Sequence, residues 1–128
     1  WRFAAEADAA QRADQAEFQA ALAARPGHRL DPGLFLSPRA AYDCQALAIG
    51  EGSWVAAGVL LHGALQIGRR CSLNPGCTVR GRVRLGDDVR IAYQAHLIGF
   101  GHGIDDSTRP IAEQPLDSRG IEVGDDVW

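Results

Sequence analysis

An aliphatic residue at every sixth position over nine successive repeats, a small or aliphatic residue four places after each, and a glycine recurring every eighteen residues predict an all-β fold, a parallel β-helix. The first column runs Ile49, Val55, Leu61, Ile67, Leu73, Val79, Leu85, Ile91, Leu97. Leu, Ile and Val make up 26 of the 128 residues, so composition alone does not produce nine uninterrupted hits. The second column is Ser53, Val59, Leu65, Cys71, Cys77, Val83, Val89, Ala95, Gly101. A sixfold period matches neither the helix, at about 3.6 residues, nor a simple strand, at about 2. It matches short strands joined by sharp corners, each giving one large and one small inward residue. Three such strands close a triangular coil of 18 residues, and stacked coils bury the columns. Gly50, Gly68 and Gly86 then fall at one corner of successive coils, where a backbone conformation hostile to a side chain is expected.

The elements follow in order along a single domain. Residues 1–27 form an N-terminal helical segment: residues 1–24 hold 11 alanines, the best helix former, and no Gly or Pro precedes Pro26. Arg25-Pro26-Gly27 ends it. Phe3, Phe18 and Leu22 give it a thin apolar stripe, which reads either as a lid over a bound acceptor or, more plainly, as a packing surface against the main domain. Residues 28–48, with Pro32, Pro38 and a short apolar run at 34–36, read as an entry segment. Residues 49–102 are the coils. Residues 103–122 break the register and form an extended loop, whose prolines and apolar Ile104, Ile111 and Leu116 argue for an ordered arm that packs on something. Residues 123–128 start the next coil, Val123 standing 26 residues beyond Leu97.

Composition excludes several classes. The 13 basic and 16 acidic residues leave a net charge of −3, without the broad basic surface that nucleic acid demands. The apolar run at 54–61 is far short of the ~20 residues that span a bilayer, so no membrane partner is expected. No basic leader followed by an apolar run opens the chain. Cys44, Cys71 and Cys77 form no metal or redox spacing, which suits a reduced, cytoplasmic setting. Cys71 and Cys77 read as small core residues, not as thiol nucleophiles. The absence of methionine and a last residue inside the repeat suggest a fragment.

Beyond the hexads, three features are more specific: Gly101-His102, a loop holding Pro110-Ile111 and Gln114-Pro115, and the run from Gly120 through Val123-Gly124-Asp125-Asp126 to Trp128. With them, residues 46–128 resemble the hexapeptide-repeat acyltransferases, the left-handed β-helix family that includes galactoside, maltose and nodulation-factor O-acetyltransferases. The resemblance implies a left-handed coil, acetyl-coenzyme A as acyl donor, no metal, a homotrimer, and a site shared between subunits. It maps the catalytic histidine onto His102 and its companion asparagine onto Asn74, which follows Ile67-Gly68-Arg69. Trp128 is expected at the donor, and Arg84, Asp105 and Asp106 at a small acceptor such as a sugar.

The chemistry such a site needs is modest. A hydroxyl or amine loses a proton as it attacks a thioester carbonyl, and neutral imidazole is the side chain suited to take it near neutral pH. Backbone N–H groups or an amide can stabilise the oxyanion. No Ser or Cys stands in a recognisable nucleophile context. The eighteen-residue period places Arg84 directly beneath His102, about 5 Å away by strand spacing, where its charge would favour the neutral imidazole. It places Asn74 and His102 on opposite sides of one prism, on the order of 15 Å apart at ~3.3 Å per residue. The two can then meet only between subunits, as a threefold oligomer permits.

Two other readings compete. His62, His96 and His102 could serve a γ-class carbonic anhydrase, which holds zinc with three histidines on the same fold, although that family's Arg-x-Asp motif is absent from the coils at 49–102. A non-catalytic β-helix scaffold is the second. Otherwise His62 and His96 are lone surface residues, and His28 carries no motif.

Overall fold

The aliphatic columns turn inward. In a computed structural model that describes residues 3–128, Ile49, Val55, Leu61, Ile67, Leu73, Val79, Leu85 and Ile91 are buried, as are Cys71 and Cys77 of the small column. Burying each such aliphatic side chain contributes about 1.5–3 kcal/mol, so these columns are the main source of stability. Leu97 is half-buried, with no strand stacked beyond it among the described residues.

The strands are β1 (His28–Leu30), β2 (Phe35–Leu36), β3 (Ala41–Ile49), β4 (Trp54–Val55), β5 (Leu60–Ile67), β6 (Ser72–Leu73), β7 (Thr78–Leu85), β8 (Arg90–Ile91), β9 (His96–Ile98), β10 (Gly101–His102), β11 (Leu116–Asp117) and β12 (Ile121–Val123). One parallel sheet stacks β2, β4, β6 and β8; another stacks β1, β3, β5 and β7, with β9 and β12 both on β7. Leu61 pairs with Val79 and Val79 with Leu97, one coil apart each time. The long strands β5 and β7 bend at Gly63 and Gly81, whose φ values are 105° and 96°, and so supply two sides of each coil. The result is a parallel β-solenoid of about four turns.

The solenoid starts a coil earlier than the hexads do. Residues 28–48, expected as an entry segment, carry β1, β2 and most of β3, and Leu34, Leu36, Tyr42 and Leu47 are buried in the same core. Their spacing to the next coil is nineteen, as in Phe35 with Trp54 and Ala41 with Leu60, until an irregularity between Cys44 and Ala46 restores eighteen. That one extra residue hides the coil from a sixfold search.

The N-terminal segment holds α1 (Phe3–Glu6) and α2 (Ala9–Ala23); Trp1 and Arg2 lie outside the described residues. Asp8 caps α2 in a capping box with Gln11. The helix packs on the first coil: Leu22 is buried, Phe18 meets Tyr42 edge-on at 5.8 Å, and Phe3 meets Phe35 at 4.8 Å. It also closes an open sheet edge, because among the described residues no strand stacks beneath β2. The buried Gln15 amide donates to Leu36 O at 2.8 Å and accepts from Leu36 N at 2.9 Å, as a paired strand would. Gln19 donates to Leu34 O, and Arg25 to Tyr42 O. The stripe of Phe18 and Leu22 is thus a packing surface. Gln15→Ala should cost about 2–3 kcal/mol in chemical denaturation, since it strands two buried backbone groups; a loss under 0.5 kcal/mol would remove the edge-closing role.

The glycine column has a different physical reason from the one expected. Gly50, Gly68 and Gly86 do not have positive φ; a Cβ on Gly68 would lie 2.5 Å from the carbonyl carbon of Gly86, and one on Gly50 2.7 Å from that of Gly68. Close stacking excludes the side chain. Positive φ falls two residues later, at Gly52, Arg70, Asp88 and Asp126. That corner carries an ion-pair ladder, in which Arg69 grips Asp87 at 2.6 Å and Arg70 grips Asp88 at 2.5 Å. The guanidinium hydrogen bonds hold both carboxyls below the usual carboxylate range. A depressed pKa stabilises the fold above the ordinary carboxylate pKa and loses that effect as pH falls through and below it. Thermal midpoints should therefore drop more steeply on acidification in the wild type than in Asp87→Asn/Asp88→Asn; parallel curves would refute the ladder's contribution.

The register break contradicts the expected stacking of Arg84 beneath His102. Val123 pairs with Leu85, thirty-eight residues earlier, where one coil takes eighteen; the other twenty are an insertion. Arg84 therefore lies opposite Glu122, while His102 leaves the stack on β10, antiparallel to β11. Gly101, expected inside, is exposed on that hairpin. The coil resumes at Ile121 instead of 123.

Candidate functional site

The insertion leaves and rejoins the solenoid at adjacent points. Gly99 N donates to Arg80 O at 2.8 Å, and Gly120 N donates to Gly99 O at 2.9 Å, closing the stem. Inside it, Gly101 pairs with Asp117 and His102 with Leu116, and Gly103 N donates to Pro115 O. The solenoid grips this hairpin from below. The Arg80 guanidinium lies 5.3 Å from the Phe100 ring centre, and Arg82 donates to Arg119 O at 2.8 Å.

The loop beyond is held by a polar centre. The Gln114 side chain is buried; its amide donates to Asp106 O at 2.9 Å and Arg109 O at 3.2 Å. Asp106 accepts from the Thr108 hydroxyl at 2.6 Å and the Thr108 N–H at 2.9 Å, which hold its carboxyl below the usual range. The apolar residues of the arm face outward: Ile104, Ile111 and Leu116 are 76%, 56% and 58% exposed. Among the described residues none of the three joins the buried core.

His102 stands exposed in an open cleft of about 460 Å³ with Phe100, Ile104, Asp105, Asp117 and Arg119 on its walls. No hydrogen bond or ion pair engages its ring among the described residues, so both nitrogens are open to a ligand. Asp105 shares the cleft, but Asp106 does not line it and spends its carboxylate on the Thr108 turn. The cleft adjoins a groove of about 620 Å³ on the face carrying Arg82 and Arg84, and Arg119 and Gly120 line both. Arg84 thus comes near the His102 hairpin along the groove, not through the stack.

Asn74 is elsewhere. Its amide donates to Ile91 O at 2.6 Å, tying successive coils at the corner between β6 and β7. The His102 hairpin leaves from the corner at the other end of the same side, so the two stand at the edges of one side and not on opposite sides. They share no cleft within a chain. Trp128 is 94% exposed and lines neither cleft nor groove.

Among the other histidines, His62 Nε2 lies 3.5 Å from Asp43 Oδ2, and His28 sits between Leu22 O and Cys44 O at 3.0 and 3.1 Å. Among the described residues no three His, Cys, Asp or Glu side chains converge as a metal site. Burial raises the Cys77 thiol to about 11, as suits a small core residue. No helix among the described residues is long and apolar enough to cross a membrane.

Asp117 and Arg119, joined at 2.8 Å, and Phe100 were not anticipated as site residues. No sequence period reaches them, because the insertion's return path obeys none. Arg82 was legible in principle: Arg80, Arg82 and Arg84 alternate along one strand, with two inward valines and a glycine between and around them.

Comparison with protein-family models, with curated proteins and with solved structures finds no match to this chain. The class these observations define is a parallel β-solenoid carrying a histidine hairpin on its flank.

Proposed function

We propose that the chain is an acyltransferase of the hexapeptide-repeat, left-handed β-helix type, moving an acetyl group from acetyl-coenzyme A to a hydroxyl or amine of a small acceptor. The observation that carries the reading is His102 itself: an unengaged imidazole on a two-stranded hairpin, pinned to a rigid solenoid beside an open cleft. General-base catalysis needs a fixed backbone and a free ring nitrogen within reach of the attacking group. As that group attacks the thioester carbonyl, its proton passes to His102, and the collapsing intermediate releases the coenzyme thiolate, which takes a proton back. Gly101 and Gly103 flank the base with no side chain to obstruct an acceptor.

The cleft of one chain is open to solvent on its outer side, and the arm offers Ile104, Ile111 and Leu116 to a neighbour. A homotrimer in which each arm covers a neighbouring side accounts for both features and brings Asn74 of one subunit toward His102 of the next. In that arrangement the second Asn74 amide N–H is available to an acyl oxyanion. The test is thiol release from acetyl-coenzyme A across an acceptor panel, together with molecular mass in solution. Turnover by a trimer supports the reading. A monomer without turnover sinks it and leaves the scaffold role.

A further inference from the structure

We propose that the groove beside the His102 cleft binds an anionic group, a carboxylate or phosphate, carried by the acceptor. The acceptor's role rests on the acyltransferase reading; the anion site does not.

Arg82, Arg84 and Arg119 line the groove, with Glu122 the one acid among its lining residues. At the neighbouring corner Arg69 and Arg70 are each met by a carboxylate one coil on. Here the corresponding match does not form: Glu122 is opposite Arg84 in register, yet no ion pair or hydrogen bond engages either among the described residues. Arg82 is anchored through one nitrogen to Arg119 O, and Arg119 through Nε to Asp117, which aims both groups and leaves N–H donors unused. Arg82 and Arg84 lie two residues apart on one face of a strand, about 7 Å along it, and among the described residues no ion pair engages either. All 13 basic residues of the chain are arginines, whose planar fork suits bidentate contact with carboxylate or phosphate.

The shape agrees with the charge. Beneath Arg82 in the stack come Ala64 and Ala46, which leave the space that the groove occupies. At the upper end, a Cβ on Gly120 would lie 3.1 Å from Arg82 Nε and 2.7 Å from Arg82 O. Glycine there keeps the passage to the hairpin clear. The groove adjoins the His102 cleft through the lining the two share at Arg119 and Gly120. The acceptor must put its reacting hydroxyl at the base, whereas the donor's phosphates are held from its thioester by the long pantetheine arm. An anion held in the groove adjoining the base is therefore assigned to the acceptor.

The experiment has two arms. Inorganic phosphate, titrated into the protein at constant ionic strength, should shift the Nε–H signals of Arg84 and Arg82 saturably, and Arg84→Gln should weaken the response. In turnover, a uronic acid should be preferred over the corresponding neutral hexose. Arg84→Gln should cut kcat/KM for the acid about 10- to 100-fold, through KM, and lower that for the neutral sugar far less, so that the preference for the acid collapses. No saturable phosphate shift would overturn the site. A rise in KM for acetyl-coenzyme A with acceptors unaffected would give the groove to the donor and overturn the proposal. Absence of turnover with every acceptor would overturn the acceptor assignment along with the reading it rests on, and the phosphate titration alone then decides the anion site.

Discussion

Gly68→Ala should destabilise the protein by more than about 4 kcal/mol, a loss reserved for changes that the surrounding structure cannot absorb. The new methyl would meet the carbonyl carbon of Gly86 at 2.5 Å, and Asp87 Oδ1 at 2.7 Å. Backbone is the first obstacle, so no rotamer change relieves it. The coils would have to part at this corner, which breaks the ladder bonds from Gly68 N to Leu85 O and from Asp88 N to Arg69 O. Gly52→Ala is the informative contrast. Gly52 has φ +70°, yet a Cβ there meets only Arg70 Cγ, at 3.6 Å. Its cost is that of the left-handed conformation alone, about 1–2 kcal/mol. Arg70, Asp88 and Asp126 already accept that conformation at the same corner. Urea denaturation of both variants decides the matter. If Gly52→Ala proved the more damaging, close stacking would not be the reason for the column.

The same two positions show how far the amino-acid pattern could be read. Gly50, Gly68 and Gly86 mark a corner because eighteen residues bring each above the last, and periodicity carries that information. Whether a glycine is needed for its φ or for its missing side chain depends on the distance between coils, which no single chain position encodes. The large and small columns were legible for a similar reason: inward packing repeats with the coil. The first coil was not, because Gln45 adds one residue and shifts Tyr42 and Leu36 out of the sixfold count. Gln15 was invisible in another way. A polar residue within a helix gives no hint that its amide will stand in for a missing strand.

The candidate site divides along the same line. His102 was legible through its place at the end of the hexads and through resemblance. Its relation to Arg84 was not, since counting eighteen residues back assumes an unbroken coil. The twenty-residue insertion moves Glu122 into that place and carries His102 out to the hairpin. Arg119 and Asp117 became visible only when the return strand was seen beside Gly101.

His102→Ala should lower turnover by about 10²–10⁴-fold, the range that a positioned general base typically contributes. The fold should barely respond. His102 is exposed, and no hydrogen bond or ion pair holds its ring among the described residues, so the stability change should stay within about 0.5 kcal/mol. The hairpin does not depend on the imidazole, because Phe100 on Arg80, Arg119 O on Arg82 and the Gly120–Gly99 bond keep it in place. The loss should fall on kcat more than on either KM, since the base acts on the proton that moves in the transition state. Two controls sharpen the reading. Asn74→Ala should lose less turnover but more stability, because its amide ties the β6 corner to Ile91. Arg84→Gln should lower turnover of an anionic acceptor far more than that of a neutral one. A folded His102→Ala protein that released thiol at the wild-type rate would refute the mechanism, and the solenoid would then be read as a scaffold whose cleft serves binding alone.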